Sequence, residues 1–285
     1  MPSLRSWNAG TKRFLASIAY SRTRATGQRL SRQIKDPFLR AFWEEEYASY
    51  DPRYLREAIA PIQNKLGQFL LNPVIRNILG QVRAKVSIPF IMDHGRIFIA
   101  NLSKGHLGHE KANLLGSLLV TQFQLAAMAR ANRPEEKRRD FHLVIDEFQN
   151  FSTDAFTSIL AEARKYRLCL VLSHQYIDQL SLPVRQAVFG NVGTLICFRI
   201  GRADAEIVAK EFEKTYSAGA LVDLDRYEVV VKLLVEGTNL DPFRAKMTPL
   251  TQTSENWRDE LAALSRARFA ARRNATEDKL KRWIN

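Results

Sequence analysis

The sequence predicts an α/β fold built around a parallel sheet, and three observations carry that prediction. The run Leu143 to Ile145 is apolar and ends abruptly in two carboxylates, Asp146 and Glu147. A second run, Leu168 to Leu172, ends the same way in Ser173, His174 and Gln175. Short apolar runs bounded by polar residues are the pattern of central strands in a parallel sheet. Finally, strand-like runs alternate with helix-like segments of 10 to 20 residues through the middle of the chain. That alternation specifies parallel strands joined by right-handed crossovers.

The elements follow in order. Residues 1–40 hold nine Lys or Arg against the single acid Asp36, so a basic arm is expected over 1–36. Over 37–85, apolar residues recur at helical spacing and Pro37, Pro52, Pro61 and Pro73 fit helix first turns, giving a subdomain of three or four short helices. Trp43, Phe42, Tyr47 and Tyr50 read as its core rather than as a base-stacking platform. SIPFIMDHGRIFIANLS predicts a β-hairpin turning near Asp93, His94 and Gly95, with Arg96 to Asn101 as a core strand. His109 to Arg130 is a long helix, followed by a charged loop and the strand that ends in Asp146. A helix from about Asp154 to Tyr166, capped by Ser152, Thr153 or Asp154, leads to the strand that ends before Gln175. The remainder alternates a helix near Pro183 to Phe189, a strand from Thr194 to Ile200, a helix from Ala203 to Phe212 and a strand from Glu228 to Val235. The α/β core thus spans 86–248, and 249–285 form a basic helical tail.

Composition narrows the class of function. With 285 residues, 46% hydrophobic and 26% charged, the chain can bury an ordinary globular core. Its formal charge of +13 is unusual, and residues 1–40 alone supply +8. Such a field attracts nucleic acid or an anionic membrane, although a basic arm can also be merely solvated. An acid-poor, Arg-rich start also suits an organellar transit peptide, but no small-residue cleavage pattern stands out. Cys169 and Cys197 lie in apolar runs, so they read as buried thiols of a reducing compartment and exclude a disulfide framework. No run approaches ~20 uninterrupted apolar residues, the length of a membrane span; Leu114 to Arg130 comes closest and contains Gln122 and Gln124.

The ends of the two apolar runs carry the chemistry. Asp146 can hold a hydrated Mg²⁺, Glu147 can polarise a water, and Gln175 can sense or orient it, which are the parts of a nucleoside triphosphatase outside its phosphate loop. Each also has a plainer reading: Asp146 capping a turn, Gln175 bonding at a strand end, Arg164 forming exposed salt links with its neighbours. No G-x-x-x-x-G-K-[ST] occurs in the chain. SKGHLGHEK, residues 103–111, has Gly105, Gly108 and Lys111 at the wrong spacing for a phosphate loop. His106 and His109 in the same stretch lack the companions of a zinc site.

The succession LVIDEFQNF, ILAEARKYRL, LVLSHQY and GNVGTLICFRIGRADA resembles the ring-forming DNA-pumping ATPases of the HerA and FtsK superfamily. It is most similar to conjugative coupling proteins of type IV secretion, the TraG/TraD type. The likeness extends to FWEEEY, NKLGQFL and IFIANLSKGHLGHEKANLLGSLL, covering roughly residues 38–245. It implies the carboxyl-terminal half of a RecA-like P-loop ATPase core, with ATP and Mg²⁺ as cofactors. By this resemblance Asp146 supports the metal through water, Glu147 activates the water, Gln175 is the strand-end sensor and Arg164 is a finger toward a neighbouring subunit's nucleotide. Arg164 is then expected near the carboxyl edge of the sheet. The implied partners are DNA, a homo-oligomeric ring taken as a hexamer, the relaxosome and other secretion components. The implied location is the bacterial cytoplasm, at the inner membrane if joined to an anchored half. The relatives' membrane anchor and phosphate loop have no counterpart here, so the expected chain is a fragment, a split-gene subunit or a truncation. Its activity is then ATP-driven DNA movement in the intact assembly; the alternative is a non-catalytic subunit that binds DNA or the relaxosome and keeps the motor fold.

Overall fold

A computed structural model describes residues 36–54, 57–58, 60–61, 64, 71–79, 81, 85–152, 156–213, 215–251 and 256–284. The basic arm before Asp36, NKLGQFL beyond Asn64, and the cap candidates Thr153 and Asp154 lie outside the described residues. The chain divides into two units, Ile88–Asn256 and a second made of Met1–Ser87 with Trp257–Asn285.

Ile88–Asn256 is mixed helix and sheet. In chain order it contains α1 (Ile88–Asp93), α2 (His109–Met128), β1 (Phe141–Ile145), α3 (Phe156–Glu162), β2 (Leu168–Leu172), α4 (Leu182–Asn191), β3 (Leu195–Cys197), α5 (Arg202–Glu211), α6 (Ala218–Val222), β4 (Glu228–Lys232), β5 (Leu234–Val235), β6 (Thr238–Asn239) and β7 (Phe243–Lys246). β1 and β2 are parallel, with Phe141 beside Leu168 and Ile145 beside Leu172. One face of this pair, including Ile145 and Leu168, packs on Phe123 of α2, Phe156 of α3 and Val184 of α4. The alternate residues point the other way, and there Val144 is 69% exposed and Val171 50%.

The expected hairpin near Asp93 does not form. Its first arm is α1: Pro89 lacks the N–H a strand ladder needs but fits a helix first turn, and Ile91 and Met92 enter the core. The chain reverses at Gly95, φ 56°. Residues 96–103 form no regular secondary structure and pair with no strand among the described residues. Phe98 packs on Phe123 at 5.8 Å, leaving Ile97 91% exposed.

The sheet is not one parallel sheet. β3, β4 and β7 form a separate antiparallel sheet over a second core containing Val208, Phe212 and Leu221. The expected strand Glu228 to Val235 breaks after Lys232, and β5 and β6 form a hairpin. Its two-residue loop, Glu236 and Gly237, takes positive φ at both positions (48° and 84°), the geometry that follows strand twist. The expected strand Thr194 to Ile200 shortens to β3. Cys197 is buried, whereas Cys169, on the open side of β2, is only partly so.

In the other unit, prolines start helices behind Asx caps. Asp36 Oδ1 accepts from Phe38 N at 3.0 Å, Asp51 Oδ1 from Arg53 N at 2.7 Å and Asn72 Oδ1 from Val74 N at 3.0 Å. Trp43, Tyr47, Tyr50 and Tyr54 form a ladder of ring contacts 4.7 to 6.0 Å apart. None of these aromatics, nor Phe42, is buried, contrary to the expected core: spaced three or four apart on successive turns, Trp43, Tyr47, Tyr50 and Tyr54 cover one another instead. The tail forms helices Arg258–Phe269 and Arg273–Ile284, the latter tied to helix Pro73–Leu79 by Asn77 Nδ2 donating to Glu277 Oε1 at 3.1 Å.

Among the described residues one helix, His109–Asn132, is long and apolar enough to cross a membrane by length and composition. Its Ala112, Leu115, Val120, Phe123 and Ala127 are buried in the protein, whereas Leu125 and Met128 are exposed.

Candidate functional site

The parallel register sets Ile145 beside Leu172, so the residues that follow emerge side by side at the carboxyl ends of β1 and β2. Two backbone hydrogen bonds hold the ends together, Ser173 N to Ile145 O at 3.1 Å and Phe148 N to Ser173 O at 3.0 Å. Glu147 adopts left-handed backbone geometry, φ 51°, which costs a non-glycine residue about 1 kcal/mol or more. The surrounding bonds hold it there. Glu147 N donates to Asp146 Oδ1 at 3.1 Å, and Asn150 Nδ2 donates to Glu147 O at 2.9 Å.

Both carboxylates are oriented by neutral donors. Ser173 Oγ donates to Asp146 Oδ1 at 2.5 Å. Gln175 Nε2 donates to Glu147 Oε1, and Gln149 Nε2 donates to Glu147 Oε2 at 2.6 Å. Asp146, Glu147 and Gln175 are therefore brought together as the sequence suggested. Ser173 and Gln149 were missed, although each sits two residues from a named one in DEFQNF or LSHQ and has the donor a carboxylate needs. Lys104 Nζ joins the edge of the site by donating to Asn150 Oδ1 at 3.0 Å.

His174, between Ser173 and Gln175, is half-buried and meets Phe148 edge-on at 5.3 Å. Burial pushes its pKa below the ordinary histidine value of 6.5, and the nearby Asp204 and Glu147 carboxylates oppose that shift only in part. The neutral ring adds no charge beside the carboxylates.

Arg164 is not part of this cluster. It is exposed on the 3₁₀ turn Ala163–Tyr166, which enters β2 at its amino end. The carboxylates lie beyond the five-residue strand, about 15 Å away at ~3.3 Å per residue. The expectation that Arg164 lies near the carboxyl edge is thus wrong. A turn leading into a strand sits at the opposite end from residues leaving it.

An open cleft of about 1210 Å³ runs from Phe98 to Gly105 along α2 and β1 to Asp146, Glu147 and Gln175. Asp146 keeps Oδ2 free of hydrogen bonds among the described residues, and no cluster of three or more His, Cys, Asp or Glu forms there. That donor set suits Mg²⁺, which keeps several waters and takes one or two carboxylates alongside substrate phosphates. SKGHLGHEK forms a single turn, Lys104–Leu107, before Gly108 opens α2; His109 Nε2 lies 3.2 Å from Asn113 Nδ2.

The family model of the type IV secretion-system coupling protein DNA-binding domain matches residues 73–215, half of the chain. The chain belongs to this family. The match contains β1, β2, every residue of the carboxylate cluster and Arg164. Among curated proteins, none matches the sequence significantly.

Proposed function

We propose that this coupling-protein chain is the hydrolytic portion of an ATP-driven DNA motor with a RecA-like core, acting in conjugative DNA transfer. The observation that carries the proposal is the hydrogen-bonded set of Asp146, Glu147 and Gln175 at the carboxyl ends of two parallel strands, where ligands of open α/β sheets bind. Mg²⁺ and ATP, when bound, supply the phosphoryl chemistry. Asp146 has an oxygen free to hold metal-bound water. Glu147, fixed by two amide donors, is placed to take a proton from an attacking water, and Gln175 links that carboxylate to the end of β2.

Residues 1–285 contain no phosphate loop, so in this reading another stretch of polypeptide provides it. The uncovered side of β1 and β2 supports that arrangement. Parallel sheets carry cover on both faces, and here Val144 and Val171 are exposed. Arg164, remote from its own chain's carboxylates, serves in this reading a nucleotide held by a neighbour in a ring. The same missing loop favours, for the chain by itself, a non-catalytic role on DNA.

The test is ATP-dependent displacement of a third strand from duplex DNA by the chain assembled with the polypeptide that carries the loop. Displacement is expected with the parent and not with Glu147→Gln at equal DNA binding. Equal displacement by both would overturn the proposal.

A further inference from the structure

We propose that Arg130 and Arg138 are positioning residues that fix the turn presenting Arg164; this rests on the reading of Arg164 as a finger. Arg130 is only 3% exposed, an expensive place for a guanidinium unless its partners repay desolvation. Its partners come from three segments, and one of them is the turn that carries Arg164. Nη1 donates to Tyr166 O at 3.0 Å and to Arg139 O at 2.9 Å, while Nε donates to Asp93 Oδ1 at 3.1 Å. Asp93 Oδ2 is held in turn by Arg133 Nη1 at 2.8 Å.

Arg138 acts on the preceding carbonyl. Its Nη1 donates to Lys165 O, and its guanidinium carbon lies 5.9 Å from the centre of the Tyr166 ring. Arg138 is itself anchored, because Nε and Nη2 donate to Arg133 O at 3.0 and 2.7 Å. Two successive carbonyls directly after Arg164 are thus gripped by two guanidiniums. Arg167, at φ 56°, closes the turn with its N–H on Arg164 O at 3.1 Å and passes its own carbonyl to Phe141 N at 2.9 Å.

Each carbonyl is held by a guanidinium that is itself anchored on another segment, so the clamp restricts the conformations open to the turn. Arg164 and Lys165 are the exposed side chains of this turn, and a finger placed by pre-organised backbone loses less freedom when it meets a phosphate. Lysine cannot replace either clamp residue, because a single ammonium cannot span partners arranged around a planar fork.

The first measurement is amide exchange in the full chain. In Arg138→Lys, and in Arg130→Lys if it folds, the Arg167 amide is expected to exchange about tenfold faster or more while the Val144 amide stays unchanged. Unchanged Arg167 exchange overturns the clamp. The second is a double-mutant cycle on ATP turnover in the loop-complemented assembly. Arg138→Lys is expected to lower kcat about tenfold with KM unchanged, and to have no further effect in an Arg164→Ala background. Equal loss in both backgrounds makes Arg138 a stability residue only and overturns the inference. If Arg164→Ala itself leaves turnover intact, the finger reading fails, and this inference fails with it; a large Arg164→Ala loss beside a silent Arg138→Lys sinks this inference alone.

Discussion

Glu147 bears the greatest demand in the site: a strained backbone, two amide donors on its carboxylate, and a strand end on either side. In the loop-complemented assembly, Glu147→Gln is expected to lower ATP turnover by ~10² to 10⁴, measured as phosphate release, with DNA affinity unchanged. His174 gives a second residue-scale test. Burial keeps it neutral in the folded chain, whereas the unfolded chain takes up the proton first as pH falls through about 6.5. Its neutrality therefore contributes stability above that pH, lost as pH falls toward the folded value. The His174 ring protons in an NMR titration should show a midpoint below 6.5, and His174→Phe should flatten the accompanying fall in melting temperature. Titration at or above 6.5 would contradict the environment described.

At the scale of elements, Gly116 on α2 faces the Phe151 ring so closely that an added Cβ would lie 2.2 Å from a ring carbon. Gly116→Ala gains about 1 kcal/mol of helix propensity, but overpacking typically costs ~1 to 3 kcal/mol. A net loss of melting temperature is expected, relieved when combined with Phe151→Leu. Most elements around the site were legible because their signals are local. The apolar runs ending in Asp146 and Ser173 define β1 and β2, and α2 follows from its periodicity. α1 was not, because IPFIMD is too short for its period to distinguish helix from strand, and Pro89 decides the matter. The antiparallel sheet was obscured because a strand's direction depends on its partner; only the Glu236-Gly237 turn signalled it. Arg164 was misplaced for a different reason. It was expected at the carboxyl edge of the sheet, although its turn precedes β2 and so lies at the opposite end from Gln175. Ser173 and Gln149 became visible only once the strand ends were aligned.

At the scale of the whole molecule, a formal charge of +13 accompanies membership of a DNA-binding domain family. Sequence-independent DNA binding is expected to weaken with salt, with a log–log slope near −5 if about six phosphates are neutralised. Deleting residues 1–40, which supply +8, should flatten that slope. A slope unchanged by the deletion would assign the binding to other basic residues. The central claim is that Asp146, Glu147 and Gln175 form a complete hydrolytic edge that lacks only phosphate-cradling polypeptide. The most direct measurement is Mg²⁺-dependent ATP turnover of the purified chain before and after addition of the polypeptide carrying the phosphate loop. No appreciable turnover is expected from the chain alone, with activity appearing on addition and vanishing with Glu147→Gln. Robust turnover by the chain alone, or complemented turnover indifferent to Glu147→Gln, would contradict the claim.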